Sequence, residues 1–377
     1  MAYDLSGLFM PFNSGSLHLA NRIVMAPMTR CFSPGGVPGP DVAAYYRRRA
    51  EGGTGLIVTE GTWIPHPAAA NEENAPRFYG EDALAGWRHV VAEVHAAGGK
   101  IMPQLWHTGL TRRPVVENLY DAVAEDFSQK VSPSGYVAAG EKVAEPITDR
   151  QVEDIIEAYV KGAENAKALG FDGVEIHGAH GYMVDQFFWH ETNKRTDRWG
   201  GATLAERGRF GVELIKAIRA AVGPNFPVVL RFSQWKLQAY TAKLAETPQE
   251  LATLLEPLSD AGVDIFHASQ RRFWLPEFAG SDLNLAGWAK KITGKPSITV
   301  GSVGIEQEML ETMFSATPVP STLGHFDSLL KMLNRGDFDL VAVGRALLVD
   351  PAFADKLQRE AITELQPYSA ASLASLS

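Results

Sequence analysis

The feature that most constrains this chain is a series of eight short apolar runs, each ending in polar or glycine-bearing residues. They are Arg22–Met28, Leu56–Gly61, Lys100–His107, Gly173–His177, Pro227–Ser233, Asp264–Ser269, Ser297–Ser302 and Leu340–Arg345. Most successive runs are separated by enough chain for one helix and its loops, the βα alternation from which parallel sheets are built. Eight such units predict an α/β protein in which a single (β/α)8 barrel takes up residues 1–377. Length alone would also allow two smaller domains, but no linker marks a place to divide the chain.

The segments between the runs carry helix ends. Thr148 with Gln151, Thr203 with Glu206 and Thr247 with Glu250 have the spacing of a capping box, in which side chain and backbone satisfy each other's donors. After the first of these, Val152, Ile155, Ile156, Tyr159, Ala163 and Ala166 recur at helical spacing until Gly170, which predicts a core-facing stripe. Pro257 lies well inside the helix that Thr247 begins and predicts a kink or an early end. Three stretches depart from the bare repeat. Met1–Ala20 suits an N-terminal hairpin closing the barrel bottom, Pro114–Glu145 reads as an insertion between strands 3 and 4, and Ser233–Glu246 is long enough to form part of a lid. The small, polar tail Ser369–Ser377 is expected to be disordered.

Composition narrows the partners. A net charge of −9 argues against a nucleic-acid surface, and 45% apolar residues suffice for a large core. The start, Met1-Ala2-Tyr3-Asp4, lacks the pattern of a secretory leader, and no apolar run is long enough to span a bilayer, so a cytoplasmic protein is expected. Cys31, the single cysteine, excludes an intramolecular disulfide or a cysteine-ligated cluster within these residues.

The richest chemistry lies in Gly173-Val174-Glu175-Ile176-His177-Gly178-Ala179-His180-Gly181-Tyr182. Here a short buried strand emerges into a turn that gathers two imidazoles and a phenol. Two histidines three apart in a glycine-bearing turn can each point an N–H at one oxygen, and Tyr182 adds a phenol able to give up a proton. A pair that only caps a strand and a metal pair are the other readings, and the latter needs a third ligand that the segment does not supply. If the runs close into a barrel, their carboxyl ends converge on one face. That face then collects Pro27, Met28 and Thr29; Glu60, Gly61 and Thr62; Gln104, Trp106 and His107; His177, His180 and Tyr182; Arg231; and Gly301, Ser302, Gly344 and Arg345. Acids are scarce in this set, with Glu60 alone, which weighs against a metal hydrolase. Gly301-Ser302-Val303-Gly304 and Gly344-Arg345 stand in the loops where this barrel binds phosphate groups.

Six segments in this order resemble the old yellow enzyme family of flavin-dependent alkene reductases. They are Met25–Arg30, Thr59–Gly61, Gln104–Trp106, His177–Tyr182, Asn193–Gly201 and Gly344–Pro351, so the likeness runs from about Leu5 to Pro351. The resemblance implies non-covalent FMN at the carboxyl end of the barrel, with NADPH or NADH as reductant. It implies Pro27, Met28, Thr29 and Gly61 around the flavin ring, and Gln104 and Arg231 on its pyrimidine edge, with Ser302, Gly344 and Arg345 on its phosphate. His177 and His180 would grip the oxygen of an activated alkene or nitro substrate above the ring, His177 thus bordering the cofactor too, and Tyr182 would protonate the α carbon. The chain would act on small molecules as a monomer or homodimer. Relatives often have asparagine at His180, and a titrating imidazole there would give the reaction a pH dependence near neutrality. Trp199 stands where tyrosine is usual, and the loops Ser233–Glu246 and Gln270–Asp282, with Arg271 and Arg272, do not match familiar members. The rivals are a metal-dependent barrel hydrolase and a non-catalytic binder of a phosphate-bearing ligand.

Overall fold

Alternation along the apolar runs sorts their side chains into two cores. The computed structural model describes residues 3–70, 72–111, 126–312 and 317–377, with the side chains of 309 and 310 left aside. Its barrel strands are β1 (Ile23–Met25), β2 (Leu56–Trp63), β3 (Ile101–Trp106), β4 (Val174–His180), β5 (Val228–Lys236), β6 (Ile265–Ser269), β7 (Ser297–Val300) and β8 (Leu340–Val343). All eight pair in parallel with their sequence neighbours, and β8 returns to β1, closing the barrel. Side chains of one parity, among them Val24, Leu56, Met102, Val229, Ile265, Ile298 and Leu340, fill the lumen. Those of the other parity, such as Val174, Ile176, Leu230 and Phe266, join the helices in the outer core. Each strand is thus buried on both faces, which is why the runs are almost continuously apolar.

The lumen core also contains Phe12, Leu17 and Leu19 from an antiparallel hairpin, Phe12–Ser14 with Leu17–Leu19, as expected of the N-terminal segment. Helix Asp149–Leu169 starts at a reciprocal capping box between Thr148 and Gln151, and Thr203 with Glu206 forms a second. At the third, Thr247 accepts the Glu250 N–H, but the Glu250 carboxylate turns to the Glu246 N–H instead. Helix Pro248–Ala261 runs on past Pro257, with Leu258 and Ala261 buried beyond it, so the expected early end does not occur. Packing of that face outweighs one lost backbone bond.

Part of the insertion, residues 112–125, lies outside the described residues. The described remainder includes a short antiparallel hairpin, Tyr136–Ala138 with Glu141–Lys142. The tail expected to be disordered instead forms a 3-10 turn, Ala370–Ala374, with Leu373 and Leu376 packed on the outer core. Its carbonyls accept hydrogen bonds from three arginines: Arg30 to Ser372, Leu373 and Ser375, Arg48 to Leu376, and Arg49 to Ser377. Composition misleads here because the anchors lie more than 300 residues away in sequence.

Candidate active site

Strand parity decides what reaches the barrel mouth. Since Val174 and Ile176 face outward, Glu175 and His177 face the lumen, and a register shift between Gly178 and His180 re-aims the end of β4. The turn that follows is strained, for His180 takes a left-handed backbone with φ of +65°. Gly181 follows at +80°, where a Cβ would collide with the Gln238 side chain at 2.1 Å. That turn folds Tyr182 back beside the histidines. The His177 ring centroid lies 5.1 Å from that of His180 and 4.9 Å from that of Tyr182, and His180 and Tyr182 are 6.5 Å apart. Trp106 completes the group, its ring centroid 5.0 Å from that of Tyr182 at nearly a right angle and its plane within 20° of that of His177. The three residues predicted to act together are together.

Their electrostatics favour neutral donors. Burial holds both imidazoles well below the ordinary histidine range, and the Arg231 guanidinium adds to it in each case. Both rings are therefore neutral through the physiological range, and the pH dependence expected from a titrating His180 is not supported. The Ala179 N–H lies 3.4 Å from His177 Nδ1, leaving Nε2 as the N–H able to face a ligand. His180 is anchored more firmly: Nε2 lies 2.7 Å from the Ser269 hydroxyl, and the ring stacks on Trp235 at 4.4 Å. Burial, with Glu72 and Tyr240 nearby, pushes the Tyr182 phenol above its ordinary value, so it keeps its proton.

One layer deeper in the lumen, Gln104 and Arg231 meet Glu175 and His267, two residues to which the sequence assigned no role. The Gln104 amide donates to Glu175 at 2.8 Å, and His267 Nδ1 meets the other Glu175 oxygen at 2.7 Å, with Glu175 and His267 fully buried. Arg231 stands in register with both His177 and His267. The available signal was parity: Glu175 lies two residues before His177, and His267 two before Ser269, on the lumen face. Glu60, the lone acid of the predicted face, accepts the Arg30 and Cys31 N–H groups, and burial raises its carboxyl to about 7.

The residues present fit a flavin. Arg231 is only 7% exposed, yet its Nε has no hydrogen-bond partner among the described residues, an unmet donor that an acceptor-rich ring edge would satisfy. Gln104 lies beside Gly61 in register, and its amide oxygen is available while its nitrogen is held by Glu175. Gly61 has no room for a side chain, since a Cβ would meet the Trp106 indole at 2.6 Å. Across the mouth, Pro27 and Met28 are half-buried and Thr29 exposed, and Gly344 sits beside the Met28 sulfur. On the predicted phosphate side, the Ser302 hydroxyl donates to the Arg271 carbonyl at 3.0 Å, with the Gln307 carbonyl farther off at 3.5 Å, and Arg345 donates to that Gln307 carbonyl at 2.7 Å. Arg345 also donates to Glu308 and Thr312. Arg271 and Arg272 both pair with Glu308, so neither stands free as an anion site. A surface groove lined by Arg198, Trp199, Arg209 and Glu213 lies outside this cluster and contains none of the predicted site residues.

A closed β/α barrel whose mouth joins two neutral imidazoles, a phenol and a buried arginine with an unmet Nε among the described residues can receive a planar, acceptor-edged ligand. Comparison with known proteins specifies the class. The model of the NADH:flavin oxidoreductase / NADH oxidase family matches residues 7–319. The chain is 32% identical over 369 residues to 12-oxophytodienoate reductase 7 of Oryza sativa subsp. japonica, spanning 94% of this chain and 88% of that protein. It is 33% identical to the NADH oxidase of Thermoanaerobacter brockii, spanning 95% of this chain and 52% of that longer protein. Morphinone reductase in complex with tetrahydroNAD superposes with a TM-score of 0.77 at 27% identity, over 97% of this chain and 94% of that one. The old yellow enzyme homologue of Zymomonas mobilis gives 0.76 at 25% identity, over 97% and 96%.

The chain belongs to the NADH:flavin oxidoreductase / NADH oxidase family, the old yellow enzyme group. It is an FMN-dependent oxidoreductase that uses NAD(P)H, and the hydrolase and binder readings are set aside. Among the described residues, no helix is long and apolar enough to cross a membrane.

Proposed function

We propose that this enzyme saturates an alkene conjugated to a carbonyl or nitro group, acting in the cytoplasm as a monomer or homodimer. When bound, FMN supplies to the substrate's β carbon the hydride obtained from NAD(P)H. Pro27, Met28, Thr29, Gly61, Gln104 and Arg231 would hold its ring, and Ser302, Gly344 and Arg345 its phosphate. His177 donates its Nε2–H to the substrate oxygen, and His180, with Nε2 accepting the Ser269 hydroxyl, donates its Nδ1–H. Negative charge grows on that oxygen during hydride addition, so donors fixed there stabilise the transition state more than the ground state. Tyr182 delivers a proton to the α carbon, and its raised pKa keeps that proton available at neutral pH.

The observation that supports this reading best is the convergence of the three rings, each centroid within 6.5 Å of the others. Tyr182→Phe tests it, because the phenyl ring fills nearly the same space without a donor. Reduction by NADPH passes a hydride and needs no phenolic proton, so it should proceed at nearly the wild-type rate. Reoxidation by 2-cyclohexenone should slow by roughly 100-fold or more. Stopped-flow measurement of each half-reaction decides the matter, and equal slowing of both would make Tyr182 a positioning group.

A further inference from the structure

The segment that continues β5 beyond Arg231 encloses an ion pair not used by the chemistry above. Lys236 Nζ lies 2.7 Å from Asp185 Oδ1, and both side chains are 0% exposed. Lys236 also donates to the Ser233 carbonyl, while the second Asp185 oxygen accepts the Gly181 N–H at 2.7 Å. A buried pair contributes little net stability, because desolvation offsets most of the attraction. What it supplies is direction: two oxygens are committed to two partners, and one partner is the backbone of the strained turn.

The rest of that turn is held by the same two elements, the β5 extension and helix Met183–Phe188. The His180 N–H donates to the Ser233 hydroxyl at 2.9 Å, and the His180 carbonyl accepts the Leu237 N–H. The Gly181 carbonyl accepts from the Gln186 and Gln238 amides at 2.7 and 3.3 Å. A non-glycine residue at positive φ costs free energy and persists only where its surroundings over-determine it. Ser233, Asp185 and Lys236 form one connected set, since Ser233 accepts from the His180 N–H and its own carbonyl accepts from Lys236.

We propose that Asp185 and Lys236 are positioning residues that hold the His180–Gly181 turn and thereby set where the Tyr182 hydroxyl stands, the His180 ring being anchored separately on Ser269 and Trp235. The inference rests on the proton-donor reading of Tyr182 and extends it to two residues that touch neither substrate nor cofactor. Lys236 ends β5 within the Ser233–Glu246 stretch, and from there it braces the turn that carries Tyr182.

Two charge-neutral variants test this. Asp185→Asn with Lys236→Met is nearly isosteric and leaves an oxygen for Gly181 but no ion pair to orient it. Asp185→Leu with Lys236→Met removes the acceptor as well. Flavin content and the rate of reduction at saturating NADPH should stay within about threefold of wild type in the first variant, while reoxidation by 2-cyclohexenone slows about tenfold; the second should slow further. Added to Tyr182→Phe, the first pair should cause little extra loss, because a misplaced phenol matters only where there is one. Wild-type reoxidation in the isosteric variant, or losses that simply multiply with Tyr182→Phe, would overturn the inference, and this holds even if the leucine variant does not fold. If Tyr182→Phe itself reoxidises at the wild-type rate, the proton-donor reading has failed instead.

Discussion

At the scale of the residue, the mouth holds two buried imidazoles beside a buried phenol. His177, His180 and Tyr182 were visible because a strand run breaks off into three polar rings, a local event in sequence. Their neutrality was not visible, because it comes from burial and from Arg231, which lies more than fifty positions away but one strand over. The structure therefore shifts what a substitution at His180 should show. His180→Asn still offers an N–H and should keep much of the activity, whereas His180→Ala should lose about 100-fold or more in the reoxidation rate, the usual cost of one such donor. With the imidazole neutral throughout, the ratio of wild-type to asparagine rates should be flat between about pH 6 and 8. Equal activity in the asparagine and alanine variants would place His180 away from the substrate oxygen.

At the scale of the element, the βα repeat was readable because each run obeys a short-range rule. Strand ends shifted by a few residues, as at β1, β4 and β5, and β5 continues to Lys236 because that residue pairs with His180 at the end of β4. The tail shows the limit of that kind of reading. Small polar residues suggest a loose end only if nothing elsewhere needs their carbonyls, and here Arg30, Arg48 and Arg49 do. Arg49 is fully buried, so removing residues 370–377 takes one acceptor from a guanidinium that water reaches poorly. Each unmet donor of this kind costs about 1–3 kcal/mol. A chain ending at Ser369 should melt several degrees lower than the intact protein by calorimetry; an unchanged transition would mean that the tail adds nothing to the barrel.

At the scale of the whole molecule, the buried titratable groups set how stability responds to pH. His66, His107, His177, His180 and His267 are all held below their ordinary value, chiefly by burial. The unfolded chain binds protons at these sites from about pH 6.5 downward while the folded one does not, so each costs stability as pH falls, by up to about 1.4 kcal/mol per unit. Glu60, raised to about 7, acts with the opposite sign: the folded state holds its proton between about pH 4.5 and 7, so acid favours it there. Burial raises Asp185 and Glu277 in the same sense. Five histidines outnumber three acids, and the melting temperature should fall between pH 7.5 and 5.5; a rise would show that the acids dominate.

The plug formed by Phe12, Leu17 and Leu19 carries a further consequence. It makes the barrel a vessel with one door. With the lumen filled by side chains there is no passage through it, so any molecule that reaches the His177, His180 and Tyr182 rings has to approach from the carboxyl end of the strands.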